Sequence, residues 1–207
     1  LIFIQERKII MTNKETFISI YTNKIHRAGS MELLKYIENS DFFTAPASTR
    51  FHGACKEGLL IHSLKVYEMF RNEVIEYNKA VSGLDTLDEK TEETIAICGL
   101  LHDLCKVNFY KETTKNVKNE QTGAWEKIPC YTVDEKFSYG HGEKSVFLIM
   151  SYMKLKATEA QAIRFHMGAF DSSFQGGDKS LGNAWNNNPF AVLLHIADLK
   201  ASNVYGC

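Results

Sequence analysis

The chain is predicted to be all-α, a helical bundle with one short inserted β-hairpin. Two observations carry this. Apolar residues recur at three- and four-residue spacing through most of the chain, the signature of helices that each bury one face. Between residues 108 and 137 that spacing gives way to two β-tolerant runs separated by turn residues. With 207 residues, one core can form without disulfides or a structural metal, so a single domain over 30–207 is expected, preceded by an N-terminal extension and lead-in over 1–29.

Taken in order, the elements are as follows. After a polar lead-in, Ser30 is placed to cap a short helix in which Met31, Leu33, Leu34, Tyr36 and Ile37 make one apolar stripe. Residues 41–56, with Pro46, Ser48 and Gly53, read as an irregular connection. A helix over about 58–79 carries Leu60, Ile61, Leu64, Tyr67, Glu68 and Val74 at helical spacing. Thr91 is the expected N-cap of the next helix, with Glu92 and Glu93 favoured in its first turn by the helix dipole. Ile95, Ile97, Leu100, Leu101 and Leu104 make that helix apolar on most sides, which puts it at the centre. Residues 110–117 and 125–133 are the strand candidates, and Glu120-Gln121-Thr122-Gly123 is the turn. Helices resume over about 142–153 and 158–165, the second opened by a capping-box pattern at Thr158-Glu159-Ala160-Gln161. Residues 168–188 contain Gly176-Gly177 and three consecutive asparagines and are expected as a long loop with a function. Pro189 opens a final helix carrying His195 and Asp198.

A formal net charge of −1 gives no long-range field that would recruit nucleic acid or a membrane surface, although it leaves room for a local basic groove. Cys55, Cys98, Cys105, Cys130 and Cys207 form no CxxC pair and no regular spacing, so neither a zinc ribbon nor a disulfide framework is expected. Reduced thiols and a cytoplasmic location are the expectation. Residues 1–10 carry Glu6, Arg7 and Lys8, lack a long apolar stretch, and read as an extension upstream of a candidate start at Met11. No later stretch approaches the ~18 uninterrupted apolar residues of a membrane span.

Chemistry concentrates in three segments that each offer a metal-ligating side chain in an apolar setting. His62 lies in Gly58-Leu59-Leu60-Ile61-His62-Ser63, His102-Asp103 ends the central helix, and Asp198 lies in Leu194-His195-Ile196-Ala197-Asp198. This ordered pattern resembles the HD superfamily of metal-dependent phosphohydrolases over roughly residues 50–203, and it implies an HD-type helical bundle. His141 and His166 complete an order similar to that of HD subfamilies holding two metals. The resemblance implies that Asp103 bridges the ions. Metal one would then take His62, His102, Asp103 and Asp198, and metal two Asp103, His141 and His166. Imidazoles and carboxylates suit transition metals better than calcium; iron or manganese is expected first, with nickel, cobalt, zinc or magnesium as alternatives. Two such cations can acidify a shared water and clamp the attacking and leaving oxygens of a displacement at phosphorus.

Lys106 follows Asp103 by three residues and is expected on the same face, where its ammonium would neutralise charge growing on phosphoryl oxygens. Asp103 and Lys106 are therefore the catalytic candidates. Arg50 and His52, in the polar approach to His62, are candidates for substrate phosphate or for hydrogen bonds to the ligands. Lys144, one turn after His141, is a further substrate candidate. His195 could border the cavity without being a ligand. Cys105 stands where the family pattern often has glycine.

The leading functional expectation is hydrolysis of a phosphate ester or anhydride of a nucleotide or similar small molecule. Alternatives are a phosphodiesterase or 3′-to-5′ nuclease on RNA or single-stranded DNA, and an inactive nucleotide-binding sensor. A strongly basic run that would favour nucleic acid is missing, as is the Gly-Tyr-Pro signature of the cyclic di-nucleotide phosphodiesterases.

Overall fold

The computed structural model describes residues 11–206, so the extension upstream of Met11 lies outside the described residues. Among the described residues there are nine α-helices and one two-stranded hairpin, in the order α1 Asn13–Lys24, α2 Ser30–Glu38, α3 Gly58–Ser82, α4 Glu89–Leu101, β1 Tyr110–Lys118, β2 Trp125–Val133, α5 His141–Met150, α6 Ala157–Arg164, α7 Ser172–Gln175, α8 Ser180–Asn187 and α9 Pro189–Asn203. The all-α bundle with an inserted hairpin is the fold observed. No described helix is long and apolar enough to cross a membrane.

α4 is the centre of the bundle. Its residues from Thr94 to Leu101 are all buried, because apolar side chains on every face find a neighbour: α3 on one side, α1 and α6 on others. At ~1.5–3 kcal/mol for each fully buried leucine or isoleucine, Ile95, Ile97, Leu100 and Leu101 make this helix a main source of stability. α3 packs along both α4 and α9, and α6 joins α5 to α9. These contacts gather the ends of α3, α4, α5 and α6 and the middle of α9 at one side of the bundle.

Several local expectations are corrected. The lead-in contains α1, closed by a capping box in which the Glu15 N–H donates to Thr12 Oγ1 and the Thr12 N–H to Glu15. Phe17 and Tyr21 are fully buried from it. α2 is preceded by Gly29 in a left-handed conformation; Ser30 is the first helical residue and its side chain makes no cap. α4 starts earlier than expected, with Asp88 rather than Thr91 as the N-cap, its carboxylate accepting from the Thr91 N–H at 2.7 Å. Glu89 and Lys90 tolerate the extra turn at small cost. α6 likewise is capped two residues earlier than expected, at Lys156, where Glu159 accepts from the Lys156 N–H at 2.7 Å instead of the Thr158-to-Gln161 box. Residues 168–188 are not an irregular loop: a 3-10 turn at Gly168–Phe170, α7 and α8 occupy most of it.

The hairpin pairs Tyr110 with Val133 and Lys118 with Trp125 across an antiparallel ladder. Nearly all of it is exposed, Trp125 to 71 %. It is therefore rooted at its base rather than laid on the bundle. The Tyr110 hydroxyl donates to the Ala47 carbonyl at 3.1 Å, and the Asn108 N–H to Asp41 at 2.7 Å.

Candidate metal centre

His62 lies in the second turn of α3, and His102 caps the C-terminus of α4. A close helix approach brings them together: a Cβ on Gly99 would lie 2.6 Å from the Tyr67 Cα, so only glycine lets α4 come this near α3. The two Nε2 atoms are 3.1 Å apart. The helix ends there, and a 3-10 turn at Leu104–Lys106 follows. Its three-residue period, rather than a continuing α-helix, stacks Lys106 over Asp103, and the ammonium sits 2.6 Å from Asp103 Oδ2.

His141 is the first residue of α5 and His166 lies in the turn after α6. Here too a glycine sets the spacing, since a Cβ on Gly142 would lie 2.2 Å from the Arg164 carbonyl oxygen. Arg164 clamps this corner through Glu143 at 2.5 Å and Asp171 at 3.2 Å. Asp198, from the middle of α9, reaches His62 Nε2 at 3.2 Å.

All six predicted ligands converge: four histidines surround the two oxygens of Asp103, and Asp198 joins them through His62. Oδ2 faces His62 Nε2 at 3.4 Å and His102 Nε2 at 3.5 Å; Oδ1 faces His141 Nε2 at 2.8 Å and His166 Nε2 at 3.5 Å. Hydrogen bonding fixes two of the tautomers. His102 Nδ1 is 3.0 Å from the Gly99 carbonyl and His166 Nδ1 is 2.6 Å from the Ile163 carbonyl. A carbonyl can only accept, so each Nδ1 carries a proton and each ring turns its Nε2 inward. His166 Nε2 is buried with no hydrogen-bond partner. Ring nitrogens and carboxylate oxygens gathered this closely out of water are a donor set that a cation can join, and separations of this size suit donors about 2.0–2.2 Å from a shared ion. The donor set thus fits a divalent metal.

The charges are arranged to match. Burial opposes ionisation of Asp103, but the Lys106 ammonium and the His102 and His141 rings outweigh it and hold the carboxyl well below the usual range. Asp198 is mostly buried, and its bond to His62 more than offsets that burial, so it too stays ionised. Burial, followed by His62 and Lys106, pushes His52 down to about 4, leaving it neutral at neutral pH. The Ser202 hydroxyl donates to Asp198 Oδ1 at 3.3 Å and lies 3.2 Å from His52 Nε2. With its one hydrogen on a carboxylate, the hydroxyl must accept from His52, which therefore orients Asp198 through Ser202.

A family model for the HD domain matches residues 59–199. The chain belongs to the HD domain family. No curated protein and no solved structure matches it. HD domains form a superfamily of metal-dependent phosphohydrolases that bind divalent metals, and this HD domain holds clusters of His and Asp suited to that role.

The cleft of the HD domain, about 460 Å³, has Asp103, Lys106, His141 and Asp198 in its wall. His52 and His195 also line it. His195 is held by its Nδ1, 2.6 Å from the His166 carbonyl, and by stacking on Trp185. The structure does not bring Arg50 to this cleft; it is exposed on a separate groove beside the hairpin, with Cys55, Glu112 and Lys115. Lys144 is buried and its ammonium is bound to Glu135 at 2.9 Å, in a small pocket that adjoins His141. Tyr110, an aromatic that the sequence offered as a candidate base-stacking residue, lines the cleft, whereas Ser202 was not singled out by the sequence as part of the site. Ser202 follows Asp198 by one helical turn, a spacing that could have flagged it.

Proposed function

We propose that this HD domain is a phosphohydrolase that hydrolyses a phosphate ester or anhydride of a nucleotide or similar small molecule, at two divalent transition-metal ions bridged by Asp103. The observation that carries this reading is the division of the Asp103 carboxylate, Oδ2 toward His62 and His102 and Oδ1 toward His141 and His166. Residues His62, His102, Asp103 and Asp198 would hold one ion, and Asp103, His141 and His166 the other. Iron or manganese remains the first expectation. When bound, such ions supply the charge that acidifies a water and steadies phosphoryl oxygens.

The chain's own residues supply the rest. Lys106 lies in the cleft wall beside His141 and offers its ammonium to a phosphoryl oxygen whose charge grows in the transition state. His52 and Ser202 keep Asp198 turned toward His62. His141, with 30 % of its side chain exposed, is the candidate ligand most open to an arriving substrate. Selectivity is assigned to the hairpin and to residues 168–188, because Tyr110 at the hairpin root and Phe170 in the 3-10 turn both line the cleft. The free thiols Cys55, Cys98, Cys105 and Cys130 fit a reducing, cytoplasmic setting.

Metal analysis of the purified protein, followed by a phosphate-release screen, tests the reading. The panel is nucleoside mono- and triphosphates, dinucleoside polyphosphates, cyclic nucleotides and short RNA. Metal-dependent release from a mononucleotide or dinucleoside polyphosphate supports it; turnover of RNA or cyclic nucleotides alone replaces it with a phosphodiesterase. No turnover of any substrate by the metal-loaded protein leaves a nucleotide-binding module instead.

A further inference from the structure

Phe51 and Phe170 are the two most exposed phenylalanines among the described residues, at 76 % and 66 %, and both stand in the wall of the metal cleft. Single apolar side chains on a surface are ordinary; two large rings at one catalytic cleft are not. We propose that they form an aromatic seat on which the nucleobase of the substrate stacks, and that this seat demands a planar base while accepting any of the four. The inference rests on the phosphohydrolase reading above and names the part of the substrate that lies outside the metal centre.

Both rings are carried by hydrogen-bonded turns. The Phe51 N–H donates to Ser48 Oγ at 2.9 Å, the Ser48 hydroxyl donates to the His52 carbonyl at 2.8 Å, and the Ala47 N–H donates to the Gly53 carbonyl at 2.8 Å. Phe170 ends the 3-10 turn that follows His166, and its N–H donates to the Met167 carbonyl at 3.1 Å. Gly168 starts that turn at φ +55°, so close to the His195 ring that a Cβ would lie 2.5 Å from it. The rings are thus placed before any ligand arrives, which lowers the ordering cost of binding.

The wall of the cleft is divided by chemistry. Its shielded groups Asp103, Lys106 and Asp198 are charged, whereas its exposed rings are apolar and are joined by Tyr110, Met167 and Leu199. A ligand that matches both parts carries phosphate at one end and an uncharged planar ring at the other, as a nucleotide does. At about 460 Å³ the cleft falls in the range, about 300–1,000 Å³, of sites for ligands of that size. The polar side chains beside the rings already donate within the protein: Ser48 to the His52 carbonyl, Tyr110 to the Ala47 carbonyl, Ser202 to Asp198 and Asn203 to the Leu199 carbonyl. The base is therefore held by its face rather than read at its edge. Every base has such a face, so the seat separates nucleotides from base-free phosphates and does little to separate one base from another.

The experiment measures binding of AMP, GMP, CMP, UMP and ribose 5-phosphate to the Mn²⁺-loaded full chain by calorimetry, in the wild type, F51A, F170A and F51W. The four nucleotides should bind within about tenfold of one another and at least about fivefold tighter than ribose 5-phosphate, the lower end of what one base stacked on an aromatic ring gives. F51A and F170A should each weaken the nucleotides by about fivefold or more and leave ribose 5-phosphate and manganese unchanged, while F51W should bind as the wild type does. Both rings are exposed, so these substitutions remove nothing from the core. 2-Aminopurine riboside 5′-monophosphate, whose fluorescence is quenched by stacking, gives a second readout: its emission should fall on binding to the wild type and fall less with either alanine variant. Nucleotides bound no tighter than ribose 5-phosphate, or not at all, or equally well by wild type and both alanine variants, overturn the seat. A preference of more than about 100-fold for one base, the mark of hydrogen-bond readout, overturns its indifference to base identity. Phosphate release that persists in those cases leaves the phosphohydrolase reading standing without the seat. Binding that depends on both rings with no phosphate release leaves the seat standing and overturns the hydrolase reading.

Discussion

Gly142→Ala tests whether the spacing between α5 and α6 sets the second half of the metal centre. The added Cβ would lie 2.2 Å from the Arg164 carbonyl oxygen, against about 3.4 Å for ordinary contact, so the helices must separate by roughly 3.4 − 2.2 = 1.2 Å or tilt. His141 is the neighbouring residue and His166 follows Arg164 by two, so the displacement falls on the pair that faces Asp103 Oδ1. Overpacking of this kind costs about 1–3 kcal/mol, offset by up to about 1 kcal/mol from alanine's better helix propensity. A net loss of about 1–2 kcal/mol lowers Tm by about 2–8 °C in a chain of this size. The effect on the site should be larger, because a misplacement of about 1 Å in a reacting constellation can cost about 10²-fold in rate. The assays are Tm by circular dichroism, Co²⁺ titration by calorimetry, and phosphate release. Binding of one equivalent should survive while the second weakens and turnover collapses. Gly182→Ala in α8, whose Cβ would meet nothing within 4 Å, is the matched control and should be neutral or slightly stabilising. A Gly142→Ala protein with wild-type Tm, two-equivalent binding and full turnover would refute the idea that this approach sets the site.

Asp103→Ala should abolish both metal binding and hydrolysis, whereas Lys106→Ala should keep the metal and lose about 10²-fold in kcat; wild-type turnover in Lys106→Ala would reassign that lysine to charge balance alone. Glu159 is buried, and although burial raises its pKa, bonds from Arg27 at 2.5 and 2.6 Å and from Thr94 lower it below the usual carboxylate range. Its contribution is therefore fully present above about pH 4.5 and is lost as pH falls through the lower folded value. Urea denaturation across pH should show Glu159→Gln less stable by about 3 kcal/mol at pH 7 and flatter on the acid side, and parallel profiles for the two proteins would contradict this. A confirmed substrate should protect residues 168–188 from hydrogen exchange; equal exchange with and without it, together with unchanged substrate preference after shortening this segment, would place selectivity elsewhere.

Much of the frame was legible in the chain because helical periodicity is a local property. The central helix, the hairpin strands and the start of α9 at Pro189 all follow from residues within a turn or two of one another. His62, His102, Asp103 and Asp198 stand out as polar residues in apolar runs, which are costly to bury, whereas His141 and His166 were legible only through the resemblance of the whole ordered pattern to the HD superfamily. α1 escaped notice because its apolar residues form one short run, Phe17-Ile18-Ser19-Ile20-Tyr21, too brief to fix a period, and only burial of Phe17 and Tyr21 against the core makes them a helix face. The segment 168–188 looked too polar for structure, yet it folds into short helices joined to the body through Arg164 and Asp171.

Tertiary structure alone decided the distances. Which oxygen of Asp103 faces which histidine, the alignment of His52 and Ser202 on Asp198, and the placement of Cys105 against His141 depend on how closely α3, α4, α5, α6 and α9 approach. Those approaches are set by single glycines at 99 and 142, whose role becomes visible only once a second helix is seen to occupy the space of the missing Cβ. Arg50 shows the converse: close to His62 along the chain, it turns away to the hairpin groove, because residues 49–55 form bends and turns rather than a helix. Sequence determines which donors exist and which segments carry them, since these are properties of single residues and their near neighbours. Packing decides which of those donors can share an ion, because that requires atoms from five separate elements to arrive within a few ångströms of one carboxylate.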